Sequence, residues 1–109
     1  MRVENKRTYD GPGIYVGRPS QWGNPFPVGA DRASAIRQFR QFALSRLDAN
    51  PGWLDSLAEA EVLVCWCAPL SCHADVLVEF VTQGWKDSSG QPRRIERLVD
   101  TIRQVGYDE

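Results

Sequence analysis

The chain has 109 residues, 42% of them hydrophobic and 25% charged, with a formal net charge of −1. That balance suits one soluble globular domain with one core, and nothing in it marks a second domain, an internal repeat or a low-complexity segment. No apolar stretch approaches the roughly 18 to 20 residues needed to cross a bilayer, so a cytoplasmic protein with no membrane partner is expected.

The net charge hides an asymmetry. Residues 1–46 carry eight basic and three acidic side chains, whereas residues 47–109 carry five basic and eleven acidic ones. The near-neutral total argues against a nucleic-acid partner, because such domains usually show a strongly basic balance. A basic first half beside an acidic second half suits a small anionic ligand, and it suits pairing of copies in opposed charge registers, so a homo-oligomer is expected.

Residues 2–7 form a weak strand candidate, Tyr9-Asp10-Gly11-Pro12-Gly13 a turn, and Ile14-Tyr15-Val16 a short β-branched and aromatic run. The two runs are expected to pair as a hairpin. Residues 17–30 hold three glycines and three prolines but also Trp22 and Phe26, the mark of an ordered loop with large apolar anchors. Across residues 31–47, Ile36, Phe39, Ala43 and Leu47 recur at helical spacing with Phe42 beside them, and Asp31 is the expected N-cap. Asn50-Pro51 opens a second, shorter helix with Trp53, Leu54 and Leu57 on its buried side.

Val62-Leu63-Val64-Cys65-Trp66 is nearly continuous in apolar character, as a central strand covered on both faces should be. After the turn Ala68-Pro69-Leu70-Ser71, Ser71 is expected to cap a helix that runs to Gln83 and stops at Gly84. A last amphipathic helix is expected from Pro92 to Val105, with Ile95, Leu98, Val99 and Ile102 on one face. The resulting fold is α/β: a small mixed sheet of about three or four strands flanked by helices, in a single domain. Residues 1–84 carry the ligand-binding part, and residues 85–109 are a helical extension of the same domain.

All three cysteines and the only histidine fall between residues 65 and 73, where a strand hands over to a helix. Three chemistries fit. Cys65, Cys67, Cys72 and His73 supply the four N/S donors that tetrahedral zinc requires, but their spacing lacks the two separated knuckles of structural sites. No cofactor is therefore assigned, and zinc stands as an alternative. Cys72 in a first helical turn would have a lowered pKa, which makes Cys72 and His73 the catalytic candidates, although a base and an orienting group are missing.

The favoured chemistry is an anion cradle, in which the amide hydrogens at the helix start converge on a phosphate. Ser71, Cys72 and His73 form that cradle, with Cys65, Cys67 and Pro69 lining it. The loop at residues 17–26 supplies the opposite wall: Gly17 opens it, Arg18 suits bidentate phosphate contact, Trp22 offers a flat face to a base, and Ser20, Gln21 and Asn24 give polar recognition. Alternatively, Trp22 and Phe26 only pin that loop to the core.

The blocks IYVGRPSQWGNPF at residues 14–26 and CWCAPLSCHADVL at residues 65–77 resemble the two signature blocks of domain of unknown function 4326, a family found in bacteria and many phages. The resemblance spans approximately residues 2–82 and carries over Gly17, Arg18, Ser20, Trp22, Gly23, Asn24, Pro25 and Phe26, then Cys65, Cys67, Pro69, Cys72 and His73. It implies a small α/β domain, often phage-encoded. In that setting a nucleotide-derived, phosphate-bearing ligand is the expected partner, held rather than turned over, as by a phage protein that sequesters a bacterial immune signal. An enzyme processing a nucleotide or N-glycosidic bond through Cys72 and His73, and a zinc-binding nucleic-acid-associated protein, are the alternatives.

Overall fold

A strand that is apolar at every position needs cover on both faces, and only one run in this chain has that character. The computed structural model, which describes residues 1–26, 31–68 and 70–95, places that run at the centre of a three-stranded sheet. Strand β3 (Val62–Cys65) is buried throughout, and it lies parallel to β1 (Arg2–Asn5) on one side and β2 (Ile14–Tyr15) on the other. The register sets Val3 beside Leu63, Asn5 beside Cys65, and Ile14 also beside Leu63.

The expected hairpin between the first two runs does not form. Both pair with β3 instead, in the order β1-β3-β2. In β1 the polar Arg2 and Glu4 alternate with Val3, which suits an edge strand, whereas β3 tolerates neighbours on both sides.

Helix α1 (Arg32–Ala49) begins where Asp31 Oδ1 accepts the Ser34 N–H at 3.0 Å, and it buries Ala35, Phe39, Ala43 and Leu47. It packs on helix α2 (His73–Gln83), which buries His73, Ala74, Val76, Leu77, Phe80 and Val81. Leu63 and Cys65 join this core from the sheet. The other sheet face carries Tyr15 and Val64, with the Lys6 ammonium 5.4 Å from the Tyr15 ring centroid.

Between α1 and β3 the structure has turns where a helix was expected. Asn50 accepts the Trp53 N–H at its carbonyl and the Gly52 N–H at Oδ1, and one 3-10 turn follows at Asp55–Leu57. Gly52 lowers helix propensity at the point where a helix would nucleate. Trp53, Leu54 and Leu57 are nevertheless buried, as expected.

Helix α2 stops at Gly84, whose φ of 86° is open to glycine at little steric cost. Beyond it the expected helix from Pro92 is replaced at its start by a hairpin: β4 (Trp85–Lys86) pairs antiparallel with β5 (Pro92–Arg93). Asp87 Oδ1 accepts the amide hydrogens of Ser89 and Gln91, turning the chain back before Pro92. Ile95 is buried in the core, and the rest of the expected helix lies outside the described residues. The architecture is thus a small mixed α/β fold, and among the described residues no helix is long and apolar enough to cross a membrane.

Candidate functional site

β2 and β3 run parallel, so the loops that leave their carboxyl ends emerge at the same edge of the sheet. After Cys65 the chain curls back. Asn5 Nδ2 on the neighbouring strand donates to the carbonyls of Trp66 (3.1 Å) and Ala68 (2.8 Å), and the Leu70 N–H bonds the Cys67 carbonyl. That curl returns Cys72 Sγ to 3.2 Å from Cys65 Sγ, while the Cys67 N–H points at Cys65 Sγ from 3.4 Å. The sulfurs of Cys65, Cys67 and Cys72 all lie within 4.8 Å of one another, and all three are free thiols that together can hold a metal ion.

The first loop is tied to the second by named bonds. His73 Nε2 lies 2.8 Å from the Val16 carbonyl, an acceptor, so Nε2 carries the proton and donates it there. The Tyr15 hydroxyl donates to the Arg18 carbonyl at 2.6 Å and accepts from Trp66 Nε1 at 3.0 Å. Gly23 lets the loop fold against Arg18, since a Cβ there would sit 3.0 Å from the Arg18 backbone. Asn24 Oδ1 accepts the Phe26 N–H, and the Phe26 ring stands edge-on to Phe42 in α1.

Between the loops lies a cavity of about 130 Å³. Seven expected residues line it: Gly17, Arg18 and Asn24 on one side, Cys65, Cys67, Cys72 and His73 on the other. Four further residues share the wall, namely Phe26, Arg32, Ile36 and Trp66. Arg32, Ile36 and Cys72 also border an open groove of about 570 Å³ between α1 and α2.

Other expected contacts fall elsewhere. Trp22 is only 8% exposed, sits in the core and donates from Nε1 to the Trp53 carbonyl, so its face is not offered to a base. Gln21 is exposed away from the cavity, and Ser20 Oγ is buried without a hydrogen-bond partner among the described residues. Ser71 is not the cap of α2: Cys72 takes that position, and the exposed Ser71 gives its carbonyl to Arg32 Nη1. Pro69 lies outside the described residues.

The helix start also differs from an empty cradle. Asp75 Oδ2 accepts the Cys72 N–H at 3.0 Å, so a carboxylate already occupies part of the positive end of α2. Among the described residues, the arginines that line the cavity are Arg18 and Arg32, the latter with Nη1 on the Ser71 carbonyl.

Ionisation moves from Cys72 to Cys65. The Cys72 thiol donates to Cys65 Sγ and draws the Cys65 pKa down to about 5 against burial, with the backbone N–H groups of Cys67 and Ala68 helping. The same bond pushes Cys72 up, as burial does. Burial, the largest influence on His73, pushes it below its ordinary value and keeps the imidazole neutral.

Trp66 was expected at the end of the covered central strand, but β3 stops at Cys65 and Trp66 stands 52% exposed on the cavity wall. Arg32 stood next to the Asp31 cap but carried no motif. Its role follows from where α1 begins.

Fold and site define a class: a small α/β domain with a thiol-lined cavity at the carboxyl ends of parallel strands, where open α/β sheets place their ligands. The chain belongs to the family described as domain of unknown function 4326 (DUF4326), whose model matches residues 1–83. Neither a curated protein nor a solved structure matches it.

Proposed function

We propose that this protein binds a small phosphate-bearing, nucleotide-like ligand at the cavity and holds it without turning it over. The observation that carries this reading is that two arginines and an exposed tryptophan line one cavity built from both loops and the start of α1. Arg18 and Arg32 meet the anionic group, since guanidinium forks match phosphate geometry. Trp66 replaces Trp22 as the stacking face for a base. A cavity of about 130 Å³ takes a phosphate or a single ring, and the adjoining groove of about 570 Å³ has room for the remainder.

Retention is favoured over turnover because the parts of a catalytic set are committed elsewhere. His73 gives its Nε2–H to Val16, the Cys65 sulfur is buried beneath its thiol partner, and no carboxylate lines the cavity among the described residues. In a phage, such a protein would withhold a nucleotide signal from its effector. Titration calorimetry with a panel of adenine nucleotides and linear and cyclic ADP-ribose types tests this. Heat is expected with at least one member, its affinity weakened tenfold or more in Arg18→Ala and Arg32→Ala, with the ligand recovered unchanged. Absence of heat across the panel, or recovery of a product, sinks it.

A second reading is favoured by the sulfur cluster itself: the three thiols bind zinc. Zinc–sulfur bonds of about 2.3 Å set tetrahedral sulfurs about 3.8 Å apart, inside the observed range of separations. The spacing along the chain lacks the two separated knuckles of structural sites, and what supports the metal in spite of it is the curl after Cys65, which gathers the three sulfurs.

A further inference from the structure

We infer that the zinc ion held by Cys65, Cys67 and Cys72 has its fourth coordination position open to the cavity, where it takes an anionic oxygen of the ligand that Arg18 and Arg32 hold. The inference rests on the second reading above and joins it to the first.

Structural zinc sites close all four positions with protein donors, whereas sites that act on a ligand leave one open. Here the donor cluster contains three thiols, and no fourth side chain joins it among the described residues. The two nearest alternatives are committed to other work. His73 is held by its bond to the Val16 carbonyl and by an edge-on contact with Phe39 at 5.0 Å, so neither ring nitrogen falls within the cluster. Asp75 spends Oδ2 on the Cys72 N–H.

Charge and space agree. Three thiolates around a divalent ion leave one negative charge, and the two arginines that line the same cavity offset it while leaving attraction for an incoming anion. The Cys67 N–H directed at Cys65 Sγ is the kind of outer contact that orients a metal-bound thiolate. The cavity of about 130 Å³ has room for a phosphate-sized group. Zinc would act as a grip on the ligand, and the absence of a carboxylate base from the wall among the described residues fits binding better than hydrolysis.

The full-length protein loaded with cobalt(II) in place of zinc, with inorganic phosphate as the probe, tests the inference. Thiolate-to-cobalt charge-transfer bands and tetrahedral ligand-field bands are expected, and phosphate should shift the ligand-field bands saturably. In the Arg18→Ala and Arg32→Ala variants the same shift should need about tenfold more phosphate. Cys67→Ser, at a half-buried position, should keep the wild-type far-ultraviolet circular dichroism yet weaken zinc retention by about 100-fold or more. Tetrahedral cobalt whose bands ignore phosphate overturns the open position while sparing the zinc reading. Failure to retain one equivalent of metal, with all three thiols free or with a Cys65–Cys72 disulfide in the purified protein, overturns both.

Discussion

Trp22 and Trp66 look interchangeable as loop tryptophans, yet one is structure and the other surface. Trp22 is 8% exposed with its N–H bonded to the Trp53 carbonyl; Trp66 is 52% exposed, donates from Nε1 to the Tyr15 hydroxyl and has the Arg7 guanidinium 5.9 Å from its ring centroid. Trp22→Ala should therefore cost about 3–5 kcal/mol in denaturant unfolding, whereas Trp66→Ala should change stability by about 0.5 kcal/mol or less. Ligand affinity should respond in the opposite sense, falling by about 1–3 kcal/mol in Trp66→Ala. Equal stability losses in the two variants would contradict this assignment. At this scale the sequence was informative about residue type and poor about partners. The cysteines, His73, Arg18 and Asn24 were legible because their chemistry is rare or placed beside glycine and proline. Asn5 was not, because the two carbonyls it holds lie more than sixty residues away.

The two long helices, α1 and α2, were the most legible elements, since each carries a 3.6-residue period over several turns, which the short expected helix after Asn50 does not. Phe39, Ala43 and Leu47 lie in the core as expected, and the residues that α2 leaves exposed, Asp75, Thr82 and Gln83, are polar. What the period cannot show is the bond between helices: Arg40 meets Glu79 in a bidentate pair at 2.7 and 2.8 Å. With both side chains about 40% exposed, a double-mutant cycle should give about 0.2–1 kcal/mol. The hydrogen bond from Arg40 holds the Glu79 carboxyl below its ordinary value of 4.5. The coupling is therefore fully present above that value and is lost as pH falls through the lower folded one. A coupling energy unchanged between neutral and strongly acidic pH would refute it. The hairpin of β4 and β5 was illegible because strands of two residues show no alternation, and a proline after a polar turn reads equally well as a helix start.

For the whole molecule, the decisive fact is the direction of β2. Each loop follows a strand, and local pattern stops there. Had Ile14 and Tyr15 closed a hairpin on β1, nothing would have guaranteed that the loop at residues 17–26 faced the cysteines. Because β2 instead lies parallel to β3, their carboxyl ends share one edge, and Arg18 and the thiol cluster line the same cavity. That pairing depends on contacts about fifty residues apart, which neither propensity nor periodicity encodes. Its consequence is that residues of both blocks, 14–26 and 65–77, line one cavity.

Amide chemical-shift mapping during titration with the nucleotide found by calorimetry tests that claim most directly. The account predicts that the largest shifts fall together on Gly17, Arg18 and Asn24, on Trp66, Cys67, Cys72 and His73, and on Arg32, all moving with one affinity. Shifts confined to one loop, or centred on the sheet face around Tyr9 and Val62, would contradict it.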